Sequence, residues 1–220
     1  ADLRLSNEPR HIECFDNSNL QGEHPVSACV VFKDGKPAKR EYRHFNIQTV
    51  VGPDDYATMA EVITRRYTRL KEEGESLPQL IVIDGGKGQL SASVKALEAL
   101  GLRGVIAIIG IAKRLEEIYF PGDAVPLYLD KRSETLKVIQ MARNEAHRFS
   151  ITHHRKRRSK DGIKSRLEAI PGIGPQAVKA LLNTFKSLKG VKEASREDLE
   201  ACVGKARAAR VIKGLLSLAS

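Results

Sequence analysis

The sequence predicts an α/β protein with a mixed five-stranded sheet and flanking helices over residues 1–155, a basic linker over 156–165, and a small all-α domain over 166–220. Three observations support this. Short runs rich in Val and Ile alternate with segments of helical periodicity, a cluster of basic residues then interrupts the apolar pattern, and pairs of apolar helices separated by glycines follow. A length of 220 residues accommodates one full-size core and a smaller second unit.

The first strands form an antiparallel meander. HIECFD (11–16) predicts the first strand and VSACVVF (26–32) the second. The turn signal Asp34-Gly35 leads into a third strand at about 40–46. The sequence GPDD (52–55) then ends the meander with residues typical of a helix start.

Helices and buried strands alternate after the meander, judged by apolar spacing and by the glycines that punctuate it. The predicted elements are a helix from Asp55 to near Gly74, a strand at 80–84 (LIVID), a helix at about 91–100, a strand at 105–112, a strand pair from EIYF and PLYLD, and a helix from about 133 through 147 toward 158. Three antiparallel strands followed by helix, strand, helix, strand and helix is the order of an RNase H-like domain. In that arrangement the first and fourth strands are neighbours.

Two aspartates stand where these neighbouring strands end. Asp16 closes the first strand, and Asp84 closes the fourth, directly before two glycines. Carboxylates delivered to one rim of a sheet form a divalent-metal site, and their hard oxygens suit Mg²⁺ or Mn²⁺. Such a cation, shared with a phosphodiester, serves nucleic-acid hydrolysis. The ordinary alternative for either aspartate alone is a turn or cap residue.

The third catalytic group is expected on the final helix of the sheet domain. His147 is our choice, because that helix packs across the strand ends and an imidazole there can bind metal or handle a proton. The alternative is a surface helix residue, and His153 and His154 compete from within the basic cluster. Asp55 is a weaker acidic candidate, since a cap explains it equally well.

The segment GGKGQL (85–90) predicts a close approach to a phosphate. Its glycines let the backbone turn sharply into a helix whose N-terminus favours an anion, and Lys87 adds a positive charge. The spacing does not match an ATP-binding P-loop. A plain strand-to-helix turn is the alternative.

The net charge of +10 lies in the last third of the chain. Residues 1–150 carry 21 Lys and Arg against 21 Asp and Glu, whereas residues 151–220 carry 16 against 6. This asymmetry predicts a polyanionic partner, with nucleic acid far ahead of an anionic membrane. Arg155 and Arg157 in the linker are candidate contacts, although charge clusters are often only solvated.

Two glycine hairpins lie between apolar helices about 32 residues apart, at IPGIG (170–174) and CVGKA (202–206). Backbone N–H groups at such a hairpin grip phosphate oxygens without reading bases, and paired hairpins favour duplex. The second hairpin keeps one glycine and is expected to bind less well or to be structural. Because aromatics are few and Trp is absent, base stacking is not the expected mode. The expected contacts are Gly172, Gly174, Lys179, Gly204 and Lys205.

The remaining features set the cellular context. No uninterrupted apolar run of about 18 residues and no signal peptide is present, so a soluble chain is expected. Three cysteines without CxxC spacing predict neither a disulfide framework nor a structural zinc site. A reducing, cytoplasmic location fits.

Seven ordered motifs resemble the C-terminal half of UvrC, the incision subunit of bacterial nucleotide excision repair: CFDNSNLQG, ACVVFKDGKP, YRHFNI, GPDDYATMAEVITRRY, LIVIDGGKGQL, EAHRFSITHHRKRRSK and IPGIGP. The resemblance implies an RNase H-like endonuclease domain and a tandem helix-hairpin-helix domain that cut the damaged strand 5′ of a lesion with Mg²⁺ or Mn²⁺. It places the family's Asp, Asp, His triad on Asp16, Asp84 and His147, and an acidic position linked to activity on Asp55.

Two departures qualify this resemblance. Asn17 stands where the family usually has an aliphatic residue, a change that should not remove metal ligation. The chain also lacks the GIY-YIG nuclease domain and the segment that contacts UvrB, so we expect a fragment that retains chemistry and DNA affinity. The alternatives are an inert DNA-binding adaptor, or a generic RNase H or junction resolvase.

Overall fold

The computed structural model of the chain describes residues 3, 5, 8–18, 26–112 and 117–217, with the backbone alone at 18, 153–164, 216 and 217. The chain divides into two compact units, Ala1–Thr152 and His153–Ser220. Each unit has its own cluster of buried apolar side chains, as independent domains require.

One mixed sheet forms the centre of the first unit. Its strands are β1 (His11–Ser18), β2 (Val26–Lys33), β3 (Lys36–Pro37), β4 (Arg43–Asn46), β5 (Leu80–Asp84), β6 (Ala107–Ile111) and β7 (Ile118–Tyr119). The order is β3-β2-β1-β5-β6-β7, and β4 also pairs with β2. β1 is antiparallel to β2 but parallel to β5, and β5 is parallel to β6. The first and fourth predicted strands are therefore neighbours, which confirms the RNase H-like order.

The helices follow the predicted sequence of elements. They are α1 (Asp55–Glu72), α2 (Lys87–Ala99), α3 (Glu134–Glu168), α4 (Pro175–Phe185), α5 (Leu188–Glu193), α6 (Arg196–Val203) and α7 (Lys205–Ser217). In the first unit α1 packs against α2. In the second unit, α4 contacts α5 and α6, and α6 contacts α7.

The two faces of β1 bear different chemistry because side chains alternate along a strand. Glu13 faces α1, where the guanidinium of Arg66 contacts it. Asp16 faces α3, where the imidazole of His147 contacts it. One face therefore packs into the core, and the strand end on the other face carries the candidate site.

The third predicted strand is wrong in its extent. The chain forms the short strand β3, then a 3-10 turn at Lys39–Glu41, and pairs with β2 again only at β4. The predicted range of about 40–46 is therefore shortened at its start, where the 3-10 turn carries the chain away from β2. The split strand and the short β7 raise the predicted five strands to seven. β7 pairs with Leu127 through an isolated antiparallel bridge, so the predicted strand pair from EIYF and PLYLD is reduced to one short strand and one bridge.

Two helices extend beyond their predicted bounds. α2 begins at Lys87 rather than near Ser91, since Gly86 takes the N-cap position directly after β5. The segment expected as a basic linker, 156–165, is helical and belongs to α3. Lys and Arg are good helix formers, so a basic composition alone does not interrupt a helix. Among the helices of the described ranges, none has the length and apolar character needed to cross a bilayer.

Candidate metal centre and nucleic-acid interface

The register of two parallel strands brings two aspartates side by side. Asp16 on β1 pairs with Asp84 on β5 at the last step of their ladder. The residues are 0% and 4% exposed. Two carboxylates withdrawn from water are costly unless a cation or hydrogen bonds compensate their charge. The local sequence explains the placement, because each aspartate ends an apolar run that is buried as a strand.

His147 completes a group of three side chains. It lies on α3, and its Nδ1 is 3.3 Å from Asp16 Oδ2. Each of Asp16, Asp84 and His147 offers one ligand atom, and these atoms all lie within 4.8 Å of one another. The imidazole is half exposed whereas the carboxylates are buried. Two anionic oxygens and one nitrogen suit a divalent cation that keeps open positions for water or phosphate.

The pKa of the Cys14 thiol reflects its burial and the negative charge of Asp84 and Asp16. Burial raises the pKa of the Cys14 thiol well above its usual value, and the nearby charges of Asp84 and Asp16 raise that pKa further. The guanidinium of Arg143 acts in the opposite direction on the same pKa. Arg143 precedes His147 by one helical turn on α3 and so lies on the same side of that helix. The centre thus has the guanidinium of Arg143 as a cationic neighbour.

The start of α1 is attached to the end of β1. Asp54 caps α1 by accepting hydrogen bonds from the N–H groups of Tyr56 and Ala57 at 3.0 and 2.9 Å. Asn17 Nδ2 donates to the carbonyl oxygen of Asp55 at 3.0 Å. Asn17 thereby fixes the helix start beside Asp16. Over the described residues, the group that could hold a metal does not include the Asp55 carboxylate.

Lys87 lies against a neighbouring loop. Its ammonium donates to the carbonyl oxygen of Ala124 and lies 5.2 Å from the centre of the Tyr119 ring. The side chain is exposed. A phosphate contact by Lys87, as the sequence predicts, therefore requires it to leave this carbonyl or to share its protons.

A buried ion pair lies on the opposite face of β1. Glu13 is fully buried and accepts hydrogen bonds from Arg66 Nη2 at 2.5 Å and Tyr67 Oη at 2.9 Å. Burial alone would raise the pKa of Glu13, but the hydrogen bonds of His11, Arg66 and Tyr67 and the charge of Arg66 lower it to about 2. This network joins β1 to α1 and holds the strand that carries Asp16.

The second unit presents the first glycine hairpin at its surface. Gly172 has a φ of +80°, which favours glycine, and Gly174 is the N-cap of α4. A Cβ built on Gly172 would lie 1.8 Å from Nη1 of Arg210, so the guanidinium from α7 rests on the hairpin. Arg210 is exposed and forms no hydrogen bond or ion pair with the described residues. Lys179 is also exposed on α4.

The second hairpin is more open. Gly204 has a φ of +82°, and a Cβ built there would have no atom within 4 Å. Lys205 follows it, exposed, at the start of α7. The side chains of Arg155, Arg157, His153 and His154 lie outside the described residues, although the backbone at these positions belongs to α3.

Comparison with family models assigns both units. Residues 1–151 match the UvrC RNase H endonuclease domain, and residues 164–215 match the SAM-like helix-hairpin-helix tandem. The first match alone spans well over half of the chain. The chain belongs to the UvrC family. The resemblance drawn from the sequence motifs is confirmed, as is the fold class.

Curated UvrC-family relatives are similar along nearly the whole chain. UvrABC system protein C of Christiangramia forsetii is 67% identical over 208 residues, which is 94% of this chain and 35% of the relative. The protein of the same name from Porphyromonas gingivalis is 58% identical over 97% of this chain and 36% of its own length. The chain therefore spans about a third of the length of these relatives.

Solved structures with a partial likeness to this UvrC-family chain include two endonucleases V. The Bacillus subtilis Endonuclease_V is 13% identical, with a TM-score of 0.40, over 70% of this chain and 88% of that chain. The Ciona intestinalis Endonuclease V (D234N), solved with DNA containing an inosine, is 19% identical, with a TM-score of 0.38, over 64% of this chain and 57% of that chain.

Sequence reasoning about this UvrC-family chain missed three residues around the site and the hairpin. Arg143 could have been found by counting one helical turn back from His147. Tyr56, whose ring is 59% exposed beside the start of α2, is adjacent to the candidate Asp55. Arg210 had no sequence signal, because only the packing of α7 brings it onto Gly172.

Proposed function

We propose that this chain is the metal-dependent nuclease part of a UvrC-type repair protein, hydrolysing a phosphodiester of the damaged strand on the 5′ side of a lesion. The observation that carries this proposal is the convergence of Asp16, Asp84 and His147 within 4.8 Å at one rim of the sheet. Membership of the UvrC family supports the incision chemistry and its substrate.

Asp16 and Asp84 would hold Mg²⁺ or Mn²⁺, with His147 as the nitrogen ligand or as the proton-handling group. The bound cation supplies Lewis acidity to a phosphodiester oxygen and to water. The buried carboxylates contribute negative charge in fixed positions, because both strands are held in the sheet. His147 is half exposed beside Asp16 Oδ2 and can exchange a proton with water or with a departing oxygen.

Asp55 would act from the neighbouring helix start rather than as a ligand of the same group. Asn17 holds the backbone of Asp55 next to Asp16. The N-termini of α1 and α2 both start beside that rim, because α1 begins at Asp55 and α2 begins three residues after Asp84. Their partial positive charges favour a phosphate there, and Lys87 would add a charged donor.

The second unit would anchor duplex DNA through phosphates. The N–H groups of the first hairpin, between Gly172 and Gly174, would approach one backbone, with Lys179 and Arg210 as charged donors beside them. Gly204 and Lys205 would contact the other strand. Arg155 and Arg157 would add charge along α3. Contacts of this kind bind without reading sequence, as repair of lesions in any sequence requires.

A UvrB-type partner would supply damage targeting. The relatives are almost three times as long as this chain, so a partner segment and the second incision would belong to the other two thirds of a protein of that length. Lesion-containing double-stranded DNA loaded with that partner is therefore the proposed substrate. No membrane partner is proposed.

The test is incision by the whole chain on lesion duplex with partner proteins present, compared with an RNA:DNA hybrid and a four-way junction. Cleavage should need Mg²⁺ or Mn²⁺, should favour duplex DNA over the hybrid and the junction, and should be abolished by Asp16→Asn or Asp84→Asn in proteins that keep their circular dichroism spectrum. Cleavage at the wild-type rate by either variant would show that this group is not the catalytic centre. Preference for the hybrid or the junction would assign a different nuclease class.

A further inference from the structure

Tyr56 is an exposed residue near the rim of the sheet that carries the candidate metal centre. It is the second residue of α1, and 59% of it is open to solvent. Its backbone N–H is held by Asp54, whereas its hydroxyl hydrogen-bonds to none of the residues that the structure describes. Large exposed rings are uncommon where they serve packing alone, since burial is what makes them stabilising.

Tyr56 follows a residue attached to the end of one aspartate strand, and its ring lies over the helix that follows the other. On one side, Asn17 Nδ2 holds the carbonyl oxygen of Asp55, the residue directly before Tyr56, at 3.0 Å. On the other side, the ring lies over Gly88, four residues beyond Asp84. Both attachments belong to the rim at which a phosphodiester would meet the metal. A nucleotide next to the reacting phosphate is thus within reach of the ring.

Gly88 makes room for the ring. A Cβ built on Gly88 would lie 2.4 to 2.6 Å from three atoms of the Tyr56 ring and hydroxyl, closer than a Cβ is found in proteins. Gly88 lies inside α2, where alanine is intrinsically more favourable than glycine. The absence of a side chain at this position therefore suits the ring and not the helix. A tyrosine side chain has only two rotatable χ angles, so it loses little freedom when a base packs on it.

We propose that Tyr56 is a stacking platform for a nucleotide beside the scissile phosphate, a positioning residue that places the strand for cleavage. This inference rests on the proposed nuclease function and specifies the substrate contact of that same site. Every base presents a flat face, so stacking tolerates any sequence and suits an enzyme that cuts beside lesions in varied contexts. It adds one local contact to a binding mode otherwise dominated by phosphates.

Four proteins test this: wild type, Tyr56→Phe, Tyr56→Leu and Gly88→Ala. Phe keeps the ring, Leu keeps an apolar side chain without the ring, and Ala at position 88 displaces the ring without altering it. We expect Tyr56→Leu and Gly88→Ala to lower kcat/KM for lesion-duplex incision by about 5- to 150-fold, mainly through KM. Tyr56→Phe should stay within about twofold of wild type. Thermal midpoints show which variants remain folded.

A second measurement uses photocrosslinking with 5-iodouracil placed on either side of the incision position, followed by peptide mapping. Crosslinks at Tyr56 should occur in wild type and be lost in Gly88→Ala. Kinetics of folded Tyr56→Leu within about twofold of wild type, or absence of any crosslink at Tyr56, would overturn the inference. If Tyr56→Leu does not fold, Gly88→Ala decides by the same criteria. Wild type that crosslinks but cleaves nothing would refute the proposed nuclease function and leave the stacking contact standing.

Discussion

Asp84→Asn should stabilise the metal-free chain while removing its response to divalent metal. The two aspartates are almost fully buried, and one oxygen of each lies within 4.8 Å of the other. At that separation two full charges repel by about 3 kcal/mol for an effective dielectric constant near 20. The guanidinium of Arg143 offsets part of this, so we expect a net gain of about 1–2 kcal/mol from removing one charge at constant side-chain shape.

The assay is urea unfolding in EDTA and in Mn²⁺. In EDTA the free energy of unfolding should be higher for Asp84→Asn than for wild type. In Mn²⁺ at a hundredfold excess over its dissociation constant, wild type should gain about 2.7 kcal/mol and the variant far less. Glu75→Gln is the matched control, because it removes one negative charge from an exposed position. Its stability and its Mn²⁺ response should equal those of wild type.

Two results would refute this reasoning. A loss of stability for Asp84→Asn in EDTA would mean that the carboxylate is held by favourable contacts that outweigh its repulsion from Asp16. An unchanged wild-type stability in Mn²⁺, at concentrations that support incision, would mean that the two carboxylates do not hold a metal.

Three further outcomes follow from the structure. Glu13→Gln should lower the free energy of unfolding, measured with urea at neutral pH, by about 3–5 kcal/mol, because it leaves the buried charge of Arg66 without its counter-ion. A decrease below about 1 kcal/mol would contradict this. The pKa of Glu13 is lowered from 4.5 to about 2. The stabilisation that ionised Glu13 gives the wild type should therefore be complete above about pH 4.5 and be lost as the pH falls toward 2. Unfolding measured as a function of pH should show this loss for the wild type and not for Glu13→Gln. Arg210→Gln should weaken duplex binding and reduce the slope of the logarithm of the binding constant against the logarithm of the salt concentration by about 1. Arg207→Gln, at an exposed position on the same helix, is the control and should change this slope less. Equal slopes for the two variants would show that Arg210 is not among the phosphate contacts of the first hairpin.

Local sequence signals were sufficient wherever one short segment determined the outcome. The run LIVI before Asp84 is a strand because a continuous aliphatic segment of that length is stable only when buried in a sheet. The segment before Asp16 is a strand with Ile12, Cys14 and Phe15 buried in the core. The turn at Asp34-Gly35, where both residues have positive φ, follows from the residue types. The order of elements then made the two strands neighbours, since few topologies accommodate that order.

Signals of composition were less reliable than signals of pattern. The basic segment 156–165 was expected as a linker, yet its residues continue α3, because charge is compatible with helical geometry. The third strand is predicted at about 40–46, yet its first residues form a 3-10 turn and only Arg43–Asn46 pairs as a strand. Both differences concern boundaries, which depend on the balance between local preference and the neighbouring strand or helix.

The sequence by itself determined the element order, the family and the two carboxylates, because these depend on residue type and short-range spacing. Tertiary structure alone decided which groups distant in the chain come together. These contacts are His147 beside Asp16, Asn17 on the backbone of Asp55, the ring of Tyr56 over Gly88, and Arg210 on Gly172. Each of these contacts joins elements far apart in the chain. Their geometry depends on how whole helices pack, and no local pattern of residues specifies that packing.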